Sequence, residues 1–246
     1  GIEASHDTEI SRVPMSRYIA LARDPNVSTL LWFRLLGAIA TGTLTASLPF
    51  FAEHVIGNTA LASASLAIYV ISSAALVPFM NRLTHRFDKR KMLLIANTGA
   101  ASVLAILGLL VGTESNALFL IGSALLGAFM SAFLLIPGSL VPDLVDVYEY
   151  EQGERHESVF FGLWLTIHQL GFGVAGLLLG GLLQVFGYDG SSDIQTASGI
   201  WGVRLAFGVV PGLFLIISAF ALMKYRITRE RFEEARRGLL DTQADS

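Results

Sequence analysis

The sequence predicts an all-α membrane protein with six transmembrane helices, and three observations lead to that prediction. Hydrophobic residues make up 53% of the 246 residues and charged residues only 15%, against about 45–50% and about 25% in ordinary soluble domains. The hydrophobic residues are gathered into six blocks, each long enough to cross a bilayer. The basic residues lie in alternate connections between the blocks, as expected for a chain that crosses the membrane repeatedly.

The six blocks span residues 28–52, 60–81, 91–112, 116–141, 157–187 and 200–224. A spanning helix needs about 20 mostly apolar residues, because the hydrocarbon core of a bilayer is about 30 Å thick. The blocks are too long and too evenly apolar for the strands of a barrel, so helices are the structure that satisfies their backbone in lipid. We therefore expect a six-helix bundle over 28–224, between a polar lead-in at 1–27 and a charged tail at 225–246.

The distribution of cations predicts the orientation of the bundle. Of the 17 Lys and Arg residues, 15 lie in the lead-in, in the connections after the second and fourth blocks, and in the tail. The other two, Arg34 and Arg204, lie within blocks. By the positive-inside rule both termini are cytoplasmic, and we expect an integral protein of a bacterial-type inner or plasma membrane.

Composition also excludes several classes of function. There is no cysteine, which excludes disulfides and thiolate metal sites, and the net charge of −3 argues against a nucleic-acid partner. No set of nucleophile, base and acid falls on one membrane face, so we do not expect an enzyme. We expect no resident metal and no organic cofactor.

The stretch from Pro142 to Gly173 stands out because it places six carboxylates against one cation, Arg155, just before the fifth apolar block. The carboxylates are Asp143, Asp146, Glu149, Glu151, Glu154 and Glu157. The first three recur every third residue and share one side of a helical turn. This stretch is interpreted as an acidic loop at the mouth of a membrane helix.

Several motifs resemble those of the glycoside-pentoside-hexuronide:cation symporters, the melibiose-carrier branch of the major facilitator superfamily. The loop between helices ten and eleven of that family is matched by Asp143, Asp146, Tyr148, Gly153, Arg155, Glu157 and Gly171. Asp24-Pro-Asn, Leu48-Pro-Phe-Phe and Val55-Ile-Gly-Asn resemble the beginning and end of helix seven. The basic stretch 81–91 resembles the turn between helices eight and nine, although His85 and Asp88 depart from the pattern. That turn is expected mainly to set orientation.

The resemblance implies the C-terminal half of a major facilitator fold, with helices equivalent to seven through twelve and a lead-in that is the central loop of a longer carrier. Such a half would work by alternating access with an N-terminal six-helix half, carrying a small solute, expected to be a sugar, with Na⁺ or H⁺. The first four blocks hold no carboxylate at mid-depth. We therefore expect the coupling ion to be held mainly by the N-terminal half.

The candidate substrate-binding residues are Trp164, His168 and Gln169 on the fifth helix and Arg34 on the first. Trp164 and His168 are four residues apart and share a helix face, and Gln169 adjoins it at the position where many members of the family carry Lys. The resemblance implies that this face looks into a central cavity, where an indole can stack on a pyranose and the polar groups can bind hydroxyls. A packed or lipid-facing Trp164 and a core His168 remain alternatives.

Arg34 lies about two turns inside the first helix. It either extends back to the lipid headgroups or turns inward to pair with Asp143 or Asp146. The acidic stretch is interpreted, under the resemblance, as a cytoplasmic gate whose charges pair with the other half when the carrier closes. The gate set is Asp143, Asp146, Glu149, Arg155 and Glu157; the alternative is a solvated acidic loop.

Small residues four apart predict close helix packing at Gly108 and Gly112, at Ser123 and Gly127, and at Gly176 and Gly180. Two further functions remain open. One is a lysolipid-type carrier of the same superfamily, and the other is a non-transporting membrane scaffold or sensor.

Overall fold

The computed structural model describes residue 19, residues 21–152, 157–192 and 194–224, and residues 234, 237 and 238. Within these residues the chain is helical and contains no β-strand. Six of the helices are long and apolar enough to cross a membrane, which confirms the predicted fold class. Arg155, most of the lead-in and most of the charged tail lie outside the described residues.

The helices follow one another with short connections. They are α1 (Pro25–Phe51), extended by a π-helical turn (Ala52–Ile56), α2 (Ala60–Thr84), α3 (Lys89–Leu110), α4 (Asn116–Gln152), α5 (Glu157–Val185), and a last span made of α6 (Ala197–Arg204), a second π-helical turn (Leu205–Val209) and α7 (Val210–Met223). We call the end that holds Pro25, residues 85–88, Gln152 and Glu157 the basic end. The end that holds residues 57–59, 111–115, 186–192 and 194–196 is the opposite end.

Two aspartates start the helices at the basic end. The carboxylate of Asp24 accepts hydrogen bonds from the backbone N–H groups of Asn26 and Val27, at 2.8 and 3.1 Å. Asp88 caps α3 in the same way. Each cap satisfies N–H groups that have no partner inside the helix. Asp88, which departs from the family pattern in the basic turn, therefore has a structural role as a helix cap.

The spans pack in a row whose order is α2, α4, α3, the last span, α1 and α5. The two helices at its ends are also the least covered. In their most apolar part α2 is 11% buried and α5 is 17% buried, whereas the other four spans are 44–56% buried. The row curls so that α1 touches α4: the rings of Phe33 and Phe133 lie 5.5 Å apart.

The fourth helix is longer than the sequence predicts. We expected the span to end near residue 141 and an acidic loop to follow, but α4 continues to Gln152. The apolar positions of a helix continue past the membrane segment, since Val141, Leu144, Val145 and Tyr148 are all buried. The carboxylates thus end the membrane segment and not the helix, and Asp143, Asp146 and Glu149 lie on its last turns.

Close helix packing occurs at some of the predicted glycines only. A Cβ on Gly108 would lie 2.8 Å from the Cα of Gly208, and a Cβ on Gly127 would meet the carbonyl oxygen of Tyr69. The prediction was wrong for Gly112, Gly176 and Gly180, where a Cβ would meet no described atom within 4 Å. On α5 the glycine that approaches another backbone is Gly171, which lies on the other side of the helix.

Candidate functional site

The candidate site is positioned by the close contact between α1 and α5. A Cβ on Gly171 would lie 2.6 Å from the Cβ of Ala38, and a Cβ on Gly42 would lie 2.7 Å from that of Ala175. Small residues on both helices therefore let the two backbones approach. Trp164 lies seven residues before Gly171, on the same face, so it also points toward α1.

Arg34, one turn before Ala38, and Trp164, about two turns before Gly171, meet on the side of this contact toward the basic end. The guanidinium carbon of Arg34 lies 4.7 Å from the centroid of the indole ring, within the range of a cation–π interaction. Trp164 is 8% exposed and belongs to the main core. The alternative of a lipid-facing Trp164 does not fit this geometry, and the ring face that Arg34 covers is not open to a sugar.

Arg34 has no other strong partner among the described residues. Its Nε–H group is buried and donates a hydrogen bond to none of the described residues. The predicted pairing with Asp143 is wrong, because that carboxylate binds Lys89 instead. Arg34 also forms no ion pair with Asp146 in the described part of the chain.

His168 lies one turn beyond Trp164 on α5. Its ring is partly buried, and its centroid is 4.9 Å from that of Phe172. Gln169 is exposed, because one residue corresponds to about 100° around a helix. The structure thus brings Arg34, Trp164 and His168 to one α1–α5 contact and leaves Gln169 on the uncovered side of α5.

Below this cluster, toward the basic end, lies a narrow apolar pocket between α1, α4 and α5. Its lining includes Val27, Leu30, Val141, Leu144, Phe160 and Trp164. The space holds about one water molecule, which is too little for a sugar. This pocket therefore does not hold a molecule of the size of a sugar.

At the basic end, one short ion pair joins α3 to α4. Lys89 Nζ donates to Asp143 Oδ2 at 2.6 Å, and both side chains are partly buried. Beside it, Arg90 donates to the backbone carbonyl of Met223 at the end of α7. The other described members of the gate set, Asp146, Glu149 and Glu157, also have interaction partners. The basic turn thus fastens three helix ends together.

Two contacts at the opposite end were not foreseen from the sequence. His54 Nε2 and the hydroxyl of Tyr188 share a hydrogen bond of 2.8 Å, which ties the π-helical turn of α1 to the connection after α5. Burial, followed by the negative charges of Glu53 and Asp189, raises the pKa of Tyr188. The pair Glu53 and His54 is far in sequence from the pair Tyr188 and Asp189, and no spacing pattern would have joined them.

Arg204 caps another helix. Its Nη1 donates to the carbonyl oxygens of Gly108, Leu109 and Val111, at 2.9, 3.5 and 2.8 Å. These carbonyls close the C-terminal end of α3 and have no partner within that helix. An Arg near the end of a membrane helix often extends its side chain to the lipid headgroups. The guanidinium of Arg204 instead donates to the backbone carbonyls at the end of α3.

The described residues do not form a recognisable metal site. Within 21–152, 157–192 and the other described residues, no group of three or more His, Asp or Glu side chains is placed to hold a metal ion. His156, which with Glu157 or Asp143 would be the nearest candidate ligand, lies outside these residues.

The chain is similar in sequence to several known proteins, of which three follow. The chain is 27% identical over 206 residues to an uncharacterized symporter of Synechocystis, covering 80% of this chain and 37% of that protein. It is 24% identical over 198 residues to a glucuronide carrier protein homolog of Escherichia coli, covering 80% and 43%. It is 22% identical over 260 residues to a sodium-dependent lysophosphatidylcholine symporter of Danio rerio, covering 100% and 49%. The chain therefore spans less than half the length of each of these three relatives.

The chain also matches the model of a protein family. Residues 7–229 match the family described as MFS/sugar transport protein, which is a family of transporters and not of enzymes. Together with six apolar spans, this match identifies an integral membrane protein. The match covers most of the chain, including all six spans, and the chain belongs to the MFS/sugar transport protein family.

Proposed function

We propose that this chain forms the C-terminal six-helix half of a secondary transporter that moves an organic solute by alternating access. The observation that carries the proposal is the open row of helices. Its end helices, α2 and α5, are 11% and 17% buried in their most apolar part, so each offers a long face for a second half to cover. In this arrangement the basic end faces the cytoplasm, as the positive-inside rule requires.

The solute would bind where α5 meets the other half. Arg34 and His168 supply polar groups at membrane depth, Trp164 holds Arg34 in place, and Gln169 extends the site onto the uncovered face. An ionisable residue inside a membrane span is costly and usually serves a function. The coupling ion, Na⁺ or H⁺, would be held mainly by the N-terminal half.

A sugar is the first choice of solute, because the family is described as sugar transporters and one relative is a glucuronide carrier homolog. A lysolipid is the second, supported by the lysophosphatidylcholine symporter of Danio rerio and by the open face of α5. An exposed face on a terminal helix would let an acyl chain remain in the bilayer while its headgroup enters the site.

The acidic residues at the basic end would act as the cytoplasmic gate. Asp143 is bound to Lys89 within this half, so its role is to hold α3 and α4 together. Asp146, Glu149 and Glu157 also have partners in this chain, so in the proposed gate they would exchange these partners for groups of the N-terminal half, and Arg155 would act with them. Ion pairs at a partly exposed surface are worth about 0–1 kcal/mol each, which suits a gate that must open.

The test is uptake by the full-length carrier that contains this chain, reconstituted in proteoliposomes. The solutes are a glucuronide, a neutral glycoside, a pentoside and lysophosphatidylcholine, each with a Na⁺ gradient, a pH gradient or neither. Gradient-driven uptake of any of them supports a transporter, and the solute chosen separates the two classes. Absence of uptake of every solute under all gradients contradicts the proposal.

A further inference from the structure

Arg34 occupies an unusual place for a charged residue. It follows Pro25, the first residue of α1, by nine positions, which is about 13 Å along the helix axis. The apolar block begins at residue 28, so Arg34 lies about 9 Å inside the span, within a hydrocarbon core that is about 30 Å thick. Its side chain does not extend along α1 toward the headgroups but lies across Trp164 of α5, at 4.7 Å from the ring centroid.

The charge of Arg34 is not compensated within the described residues. No ion pair or hydrogen bond forms on its guanidinium there, and its Nε atom is buried. Arg204 makes a useful contrast, since it donates to three backbone carbonyls. Among the gate carboxylates, Asp143 is occupied by Lys89 at 2.6 Å.

Arg34 is partly buried, and a partly desolvated cation without acceptors is destabilising unless something pairs with it. The cation–π contact offsets only part of the lost hydration, and it leaves the N–H donors of the guanidinium without oxygen acceptors. The donors form a planar fork that matches a carboxylate or a phosphate with two parallel hydrogen bonds. The contact with Trp164 restricts the movement of the guanidinium in advance, which lowers the entropy lost when an anion binds.

We infer that Arg34 binds the anionic group of the transported solute, a carboxylate or a phosphate, and that neutral sugars are poor substrates. This inference rests on the proposed function as a transporter and narrows it to anionic solutes. His168, partly buried one turn from Trp164, lies on the same face of α5 and adds a hydrogen-bonding group beside the anion. Gln169 carries no charge, so Arg34 supplies the cation on this half of the site.

The experiment uses the full-length carrier in nanodiscs and two matched pairs of probes. Methyl β-D-glucuronide is compared with methyl β-D-glucoside, and lysophosphatidic acid with a monoacylglycerol of the same chain length. Each pair differs by the anionic group. Binding is measured as a dissociation constant and as the rise in unfolding temperature, so that it does not depend on transport.

The anionic member of at least one pair is expected to bind more tightly. Arg34→Gln should weaken that binding about tenfold to hundredfold, the range for a hydrogen-bonded charge, and leave the neutral member unchanged. Arg34→Lys should lose less, because it keeps the charge but not the fork. Arg86→Gln, in the exposed turn before α3, is the matched control and should change neither. The pair that responds shows whether the anion is a sugar carboxylate or a lipid phosphate.

Three results would overturn the anion site: tighter binding of the neutral members, binding of neither anionic member, or an equal effect of Arg34→Gln on both members of a pair. The last is expected if Arg34 instead pairs with a carboxylate of the N-terminal half. Should Arg34→Gln fail to fold, Arg34→Lys decides, since it must weaken the anionic probe selectively. Anion binding without uptake of any solute would contradict the transporter function but support the anion site. Uptake of neutral sugars alone would support the transporter function but contradict the anion site.

Discussion

Replacing Gly171 by alanine should separate α1 from α5. The new Cβ would lie 2.6 Å from the Cβ of Ala38 and 2.9 Å from the carbonyl oxygen of Leu35. Carbon atoms pack at about 3.5–4.0 Å, so the helices must move apart by about 1 Å. Two of the atoms in the way belong to the backbone of α1, and a rotation of side chains cannot relieve the contact.

We expect Gly171→Ala to cost about 1–3 kcal/mol, as overpacking in other cores does. Gly176→Ala is the matched control, because it makes the same change on the same helix where no described atom lies within 4 Å. Alanine favours a helix over glycine by about 1 kcal/mol, and this gain cancels between the two variants. The free energy of unfolding is measured for both in mixed micelles on the full-length carrier.

The displacement should also reach the site, since Trp164 lies on the same face as Gly171. A shift of about 1 Å weakens the contact between Trp164 and Arg34, and solute binding should fall in Gly171→Ala only. Equal stability of the two alanine variants would refute the close α1–α5 contact. A loss of stability without any loss of binding would refute the connection between this contact and the site.

Three further predictions follow from polar contacts. Asp143→Asn should cost about 1 kcal/mol, and a double-mutant cycle with Lys89→Met should give a coupling energy; strictly additive effects would exclude the pair. Arg204→Gln should lower stability by about 1–3 kcal/mol, because three backbone acceptors lose a donor. In the absence of solute, Arg204→Gln should lower the free energy of unfolding more than Arg34→Gln does. The reverse order would contradict the role of Arg204 as the cap of α3. The raised pKa of Tyr188 means that its ionisation opposes folding, so wild-type stability should fall as the pH rises above about 10. Tyr188→Phe should remove that fall, which is measured as the free energy of unfolding between pH 9 and 11. A variant with the same pH dependence as the wild type would contradict the role of Tyr188.

The six spans could be predicted because membrane thickness imposes a length and lipid imposes composition. Those two constraints act on each helix separately, so a single sequence suffices to apply them. The end of α4 could not be placed the same way, because a helix that leaves the bilayer keeps its hydrogen bonds in water. Buried Leu144 and Tyr148 continue the apolar stripe beyond the predicted end, and that stripe was the available signal.

The site was predicted in part. The shared face of Trp164 and His168 follows from their spacing, but the position of Arg34 depends on how α1 is rotated relative to α5. That rotation is set by Gly42 and Gly171, and the sequence pattern pointed instead to Gly176 and Gly180. A spacing of four residues shows that two residues share a helix face, but it does not show whether another helix covers that face. The partner of Arg34 therefore required coordinates.

The length of α4 has a mechanical consequence. With 37 residues it forms a rod about 55 Å long, nearly twice the thickness of the hydrocarbon that surrounds its first part. A tilt of about 10° around its midpoint would carry Gln152 sideways by about 5 Å. In the proposed transport cycle, a small tilt of the half would therefore move the acidic turns of α4 by more than the 2.6 Å length of an ion pair, while Lys89 and Asp143 keep α3 and α4 moving together.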